Sequence, residues 1–305
     1  MKAVLGFDTS NYTTSVARYD GTEGVNSGRL LDVKQGELGL RQSEALFSHV
    51  KRLPEIAEKV RGDFEIIAVG ASETPRETEG SYMPCFLAGV AVAKTMAELI
   101  NVPYFGFSHQ QGHIAAAAWS SGHMELLERE HLAWHLSGGT TELLHVRPWG
   151  VAVKCEIIGR TQDVSAGQLI DRAGQALGLG FPAGKELDAL SAQAVKREVY
   201  RPKVNGLTFS LSGVEQKMHK LVESGAEKSE VAYFTLASMI TCVQRVTENA
   251  RKQYGDLPVL FSGGVASNSL LRQLTAGGIF AEPRYSTDNA MGCAILTMRA
   301  VKAHG

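Results

Sequence analysis

Little in the 305-residue chain points to a membrane, an oxidising compartment or bulk attraction to a polyanion. Its four cysteines, Cys85, Cys155, Cys242 and Cys293, stand far apart and form no Cys-x-x-Cys pair. That excludes a disulfide framework and a structural zinc site and leaves reduced core thiols. Charge of one sign is missing too: Lys and Arg number 31 against 32 Asp and Glu, a net of -1. Broad attraction to nucleic acid is therefore not expected, and only a local basic face could supply it. No apolar run is long enough to span a bilayer, because the most apolar window, 82–100, carries Lys94 and Glu98 and reads as a buried helix. The N-terminus opens directly on strand-like residues 3–8, without the basic region and apolar stretch of a signal peptide, so a cytoplasmic protein is expected. The Gly-x-x-x-x-Gly-Lys-Ser/Thr of P-loop proteins and the Gly-x-Ser-x-Gly of serine hydrolases are both absent.

What the chain does have is glycine, 32 residues of it, much in short clusters beside apolar strands. A strand, a polar turn and a second strand read out at 3–19, and a related pattern returns at 132–146. Two such hairpins, one in each half, predict an internally duplicated α/β architecture. Helical periodicity is expected over 43–59, 86–99 and 231–254, and a helix carrying His109 and His113 follows a strand at 104–107. Strands are expected at 64–69 and 258–261, and a helix at 268–274. The polar stretch 197–205 reads as a linker or inserted region.

Three loops are candidate phosphate cradles: 9–14, Ser137-Gly138-Gly139-Thr140-Thr141, and 262–268. Ser-Gly-Gly at a strand end allows a positive φ and lets amide N–H groups approach an anion, which side chains would obstruct. The third loop also leads to a helix N-terminus, where the dipole favours phosphate. His109 and His113 stand four residues apart, on one face of a helix and near enough to share a metal. The position after His109 is Gln110, so the pair is not a protease-type His-Glu-x-x-His. A carboxylate must complete the site, and Asp288, after a strand end and before an apolar helix, is the candidate. Two His and one carboxylate suit iron or zinc and leave positions open for a substrate oxygen. His49, His135 and His145 read as packing or surface residues.

Several motifs run in one order: His109-x-x-Gly112-His113, Ser137-Gly138-Gly139, Ala166-Gly167-x-x-x-Asp171 and Leu177-Gly178-Leu179-Gly180-Phe181-Pro182-Ala183-Gly184. Then come Phe209-Ser210-x-Ser212-Gly213, Gly263-Gly264-Val265-Ala266-Ser267-Asn268 and Thr287-Asp288-Asn289. With this series the sequence resembles the tRNA threonylcarbamoyladenosine transferase (TsaD-like) family over nearly its whole length. The resemblance implies an α/β fold of the actin/Hsp70/sugar-kinase (ASKHA) type, two related lobes around a nucleotide cleft. The lobes are expected at 1–115 plus 286–305, and at 116–285. It implies a metal held by His109, His113 and Asp288, one divalent ion of iron or zinc. Ser137, Gly138, Gly139, Thr140 and Thr141 match the loop touching phosphate, and Asp171, Gly184, Asp188 and Asn268 match contacts to the rest of an ATP or adenylate ligand.

The implied chemistry moves a threonylcarbamoyl group from threonylcarbamoyl-AMP to N6 of the anticodon-adjacent adenosine of tRNA, with TsaB-like and TsaE-like proteins as partners and no membrane. The sequence departs from the family pattern at the first turn (Asn11-Tyr12-Thr13), at Thr140 in place of His, at the longer polar segment 73–84, at Ala183 in place of Gly and at Glu215 in place of Lys. Glu215 is expected to weaken a basic tRNA-facing surface. Two other functions keep the same ligand site: a non-catalytic or regulatory nucleotide-binding paralogue, and a carbamoyl or phosphoryl transferase acting on a small molecule.

Overall fold

The computed structural model describes residues 1–10, 12–32, 40–287 and 289–304. Contacts divide the chain into two compact units: Met1–Arg129 with Arg147–Cys155 and Thr287–Gly305, and Glu130–Val146 with Glu156–Ser286. The divisions fall at 129/130 and 286/287, against 115/116 and 285/286 expected from the sequence, and 147–155 belongs to the first unit. Among the described residues no helix is long and apolar enough to cross a membrane.

The first unit opens with strands β1 (Lys2–Asp8), β2 (Thr13–Tyr19) and β3 (Gly24–Leu30). It continues with helix α1 (Gln42–Glu58), β4 (Glu65–Thr74), α2 (Phe86–Leu99), β5 (Tyr104–Ser108) and α3 (His109–Ser120). The sheet order is β3-β2-β1-β4-β5, with β1 antiparallel to β2 and parallel to β4. Phe7 and Val16 on the central strands bury against Leu53, Ile56 and Ala93 from α1 and α2. Removing each such side chain from water is worth about 1.5–3 kcal/mol for the larger ones.

The second unit contains β6 (His131–Leu136), β7 (Thr141–Trp149) and β8 (Ala152–Thr161), the latter two extending into the residues assigned to the first. Then follow α4 (Ala166–Ala176), α5 (Gly184–Ser191), β9 (Val204–Asn205), β10 (Thr208–Phe209) and α6 (Ser212–Glu223). The unit ends with α7 (Lys228–Tyr254), β11 (Val259–Ser262), α8 (Ser269–Leu274) and β12 (Ile279–Phe280). Finally, α9 (Met291–His304) returns the chain to the first unit. The second sheet is ordered β12-β11-β6-β7-β8-β10-β9, so β8-β7-β6-β11-β12 repeats the order of the first sheet. Its core gathers Trp134, Phe209 and Phe261 around the buried length of α7. The Trp134 indole, which must find a partner when buried, donates to the Thr247 hydroxyl at 2.9 Å.

Residues 197–205 are not a linker. Tyr200 N–H donates to Ser238 Oγ on α7 at 3.0 Å, and the Arg245 guanidinium donates to the Pro202 carbonyl. Backbone groups satisfied by a long helix hold this strap in place, something polar composition alone does not reveal.

Candidate functional site

In the first unit, Ser108 sets the position of both histidines. Its hydroxyl accepts from Gln111 N–H at 3.1 Å, and the Gln111 side chain accepts from Ser108 N–H at 2.9 Å, closing a capping box. His109 is therefore the first residue of α3 and His113 lies one turn on, with ring centroids 4.2 Å apart. The Gln111 amide also donates to the Val153 carbonyl at 2.8 Å. From the far side, α9 closes on the same turn: a Cβ on Gly292 would lie 1.8 Å from the Gly112 carbonyl oxygen.

Asp8, at the end of β1, is only 2% exposed and meets His109 through Oδ2, 2.8 Å from Nδ1. Ser72 Oγ donates to the same oxygen at 2.5 Å, and Ser10 donates to Oδ1 through its N–H at 2.9 Å and its hydroxyl at 2.5 Å. Burial opposes the charge on Asp8, but the His109 imidazole and these donors outweigh it and hold the carboxyl below its usual range. A carboxylate on Nδ1 is the usual support of a metal-binding imidazole, so this donor set fits a divalent ion. Asp288 lies outside the described residues, and among the described residues no set of three His, Cys, Asp or Glu side chains is assembled.

Of the 9–14 loop, Asn11 lies outside the described residues. Thr9 Oγ1 donates to the Cys85 carbonyl at 2.9 Å and accepts from Gly89 N–H at 3.0 Å, which ties the turn to the start of α2. Residues 73–84 are anchored by Glu77, which accepts from the Ser108 hydroxyl at 2.9 Å and from Cys155 N–H at 2.6 Å. Burial, with Glu77 beside it, pushes the Cys155 thiol up; burial also raises Cys293, and Cys242 to about 12. All remain protonated thiols near neutral pH, without nucleophilic character.

In the second unit the two Ser-Gly-Gly loops follow the ends of neighbouring strands, since β6 and β11 pair in parallel with Ser262 opposite His135. A second capping box, Ser165 with Gln168, opens α4 beneath the first loop. Gly167 N–H donates to the Ser137 carbonyl at 3.2 Å, and Ser165 Oγ donates to the Gly138 carbonyl at 2.6 Å. Ala166 N–H donates to Thr141 Oγ1 at 2.7 Å, and Thr140 N–H to Ser137 Oγ at 3.0 Å. The Ser137, Gly138 and Thr140 carbonyls are thus engaged, while among the described residues the N–H groups of Gly138 and Gly139 have no acceptor.

The expected positive φ is found at Gly263 (+90°) but not at Gly138 or Gly139. A Cβ on Gly263 would sit 2.1 Å from the Leu136 carbonyl oxygen, so backbone geometry and packing both demand glycine there. A Cβ on Gly138 or Gly139 would meet nothing within 4 Å. Neither turn geometry nor packing explains those two glycines.

The remaining candidates link into one chain of contacts. Asp171 Oδ1 accepts from Ala183 N–H at 2.9 Å, which fixes the turn before Gly184 and α5. A Cβ on Gly174 would lie 2.1 Å from the Ala183 Cβ, so Gly174 makes room for the methyl that stands in place of the family glycine. Asp188 accepts from Ser269 N–H at 2.8 Å and its hydroxyl at 2.9 Å, and Asn268 Oδ1 accepts from Leu271 N–H at 2.9 Å. These two side chains cap α8, a role that local sequence already signals for Asn268.

Glu215 forms an ion pair with Arg172, whose Nη1 lies 2.9 and 3.0 Å from the two carboxylate oxygens. The pair leaves neither side chain with a net charge to present. Sequence reading missed the Asp8 contact to His109, the Glu77 anchor and the Asp163 hub described below. All three join residues with no local spacing signal, although Ser-x-x-Gln marks both helix starts.

A five-stranded β3-β2-β1-β4-β5 sheet with flanking helices, present twice, defines the actin/Hsp70/sugar-kinase class. Full-length HypF, solved in its phosphate- and nucleotide-bound form, superposes with a TM-score of 0.63 at 14% identity over 98% of this chain and 55% of its own. A ROK family glucokinase from Streptomyces griseus, solved with glucose and AMPPNP, gives 0.53 at 10% identity over 97% and 99%. Within that class the sequence is more specific. The tRNA N6-adenosine threonylcarbamoyltransferase (TsaD) profile matches residues 44–295, and the chain belongs to this family. A protein of that description from Thermus thermophilus is 31% identical over 280 residues, 88% of this chain and 83% of the relative. The Carboxydothermus hydrogenoformans protein is 30% identical over 314 residues, 95% and 89% of the two chains.

Proposed function

We propose that this protein transfers the threonylcarbamoyl group of threonylcarbamoyl-AMP to N6 of the anticodon-adjacent adenosine of tRNA, in the cytoplasm. The observation that carries the reading is the open Ser137–Thr140 loop of a TsaD family member, whose Gly138 and Gly139 amides lack acceptors among the described residues. Amide N–H groups fixed in this way stabilise the charge of a departing adenylate without reorganising. Asp171 and Asp188, already anchored, retain lone pairs that would accept ribose hydroxyls. Gly184 and Asn268 border the same ligand.

His109 and His113, with Asp288, would hold a divalent iron or zinc ion. When bound, that ion supplies a Lewis acid for the carbamoyl carbonyl. Asp8 fixes the His109 ring through Nδ1, which makes Nε2 the nitrogen that would face the ion. The adenine amine is a weak nucleophile, so positioning of the two substrates must supply much of the acceleration. TsaB-like and TsaE-like proteins are the partners this reading calls for.

The test is complementation of a strain depleted of its own transferase, followed by mass analysis of tRNA nucleosides. Recovery of the threonylcarbamoylated nucleoside is expected. Its absence, with soluble protein and the partner proteins present, overturns the reading.

A further inference from the structure

Although the chain has a net charge of -1, one short stretch is rich in cations. Residues 196–203 carry Lys196, Arg197, Arg201 and Lys203, with Glu198 as the single carboxylate of the stretch. All four cations are exposed, as is Lys217 on α6, whose ammonium lies 4.7 Å from the centroid of the Tyr200 ring. The Arg197 guanidinium lies 5.5 Å from the centroid of Tyr233. Among the described residues none of the five has a carboxylate within ion-pair distance. Elsewhere in this unit Arg172 is paired with Glu215 and Arg251 with Asp256.

Two of the cations gain ring contacts from folding, but like charges held together repel, and no carboxylate among the described residues relieves that repulsion. The strap is nonetheless fixed: Tyr200 N–H and the Pro202 carbonyl are hydrogen-bonded to α7, and Pro202 is buried. The backbone scaffold therefore presents unneutralised cations in a set geometry, which lowers the ordering cost of binding a polyanion. Lys203 lies six positions after Arg197, a span of at most about 20 Å and enough to follow several successive phosphates of one strand.

We propose that the 196–203 strap and the adjoining face of α6 bind the phosphate backbone of the RNA substrate. This inference rests on the tRNA-modifying reading above and assigns it a surface. The contacts would be to phosphate, so they position the RNA and confer little sequence preference.

The test is a titration of the full-length protein with unmodified tRNA across a series of salt concentrations. It compares the natural chain with the triple variant Arg197→Ala, Arg201→Ala, Lys203→Ala, and with a control, Lys51→Ala with Lys59→Ala, in the first unit. For the triple variant we expect affinity to fall at least about tenfold near 0.1 M salt, and the slope of log K against log salt to shrink by about 2 to 3. The control should match the natural chain. An unchanged melting temperature and unchanged adenine-nucleotide binding confirm that the triple variant is folded.

Natural affinity and slope in the triple variant overturn the surface, and leave the transferase reading standing if the natural chain still modifies tRNA in vivo. Failure of the natural chain to bind tRNA overturns the surface; if tRNA modification is also absent in vivo, the function falls with it. Loss of binding to phosphatidylserine vesicles with unchanged tRNA affinity also overturns it, in favour of a lipid partner.

Discussion

Gly292 and Gly112 meet backbone to backbone: a Cβ placed on Gly292 would lie 1.8 Å from the Gly112 carbonyl oxygen. This contact seats α9 on the turn of α3 that separates His109 from His113. The reverse substitution has room, since a Cβ on Gly112 finds its nearest neighbour, Cys293 N, at 3.7 Å. Gly292→Ala is expected to destabilise by about 1–3 kcal/mol, the range for forcing a methyl into packed structure. Gly112→Ala should be neutral, or stabilising by up to about 1 kcal/mol through helix propensity. Thermal melts of the two variants read the difference, and equal melting temperatures would contradict the packing described.

Asp8→Asn removes the charge behind His109 while preserving the shape of the side chain. If Asp8 supports a metal-binding imidazole, affinity for the ion should fall about 10- to 100-fold. His109→Ala should abolish it. Metal stoichiometry after dialysis at graded chelator concentrations separates the two variants. Wild-type stoichiometry in both would sink the histidine site.

Gly138 and Gly139 differ from Gly263 in what glycine does for them. Gly263→Ala must adopt φ near +90° and displace the Leu136 carbonyl, so a loss on the order of 3 kcal/mol is expected. Gly138→Ala and Gly139→Ala should change stability by less than about 0.5 kcal/mol. They should nonetheless weaken adenine-nucleotide binding about tenfold or more, the worth of one hydrogen bond to a charged group. Calorimetric titration beside a thermal melt tests both halves. Unaltered nucleotide affinity in both alanine variants would remove the loop from the ligand site.

Asp163 organises the turn before α4. Burial raises its carboxyl, but donors from Ser210 Oγ, Leu211 N–H, Ser212 and Val164 N–H outweigh that and bring it to about 2. A carboxyl lower in the folded than in the unfolded chain stabilises the fold above the unfolded value of 3.8. That contribution disappears as pH falls through about 2. The group is exposed, and screening keeps the contribution to about 1 kcal/mol. Asp163→Asn should lower the melting temperature at pH 7 and converge on the natural chain as pH drops from 4 towards 2. A constant difference across that range counts against the assignment.

Periodic segments were legible in the sequence because they bury one face. The 86–99 helix falls where predicted, and the long helix starts only three residues earlier, at Lys228. By contrast β3 has no clean alternation, being half-exposed along Gly24–Leu30, and β9 and β10 are two residues each. The histidine pair was legible from its spacing of four, whereas Asp8 is 101 residues from His109 and only the sheet brings them together. Among the glycines, sequence marked the loops but not their roles. Gly263 answers to φ and the Leu136 carbonyl, while Gly138 answers to neither. The stretch 197–205 misled because polar residues pinned through their backbone look, by composition, like a loose connection.

Both sheets repeat one strand order, and in both the first strand leads through a turn into its antiparallel neighbour. At that shared topological position one copy carries the Asp8 carboxylate and the other a stretch of side-chain-free backbone with unclaimed N–H dipoles. The duplicated template has therefore diverged to opposite electrical character. One turn is suited to support a cation and the other to receive an anion. Exchanging the two turns between the halves would preserve the strand pairing and interchange the two preferences.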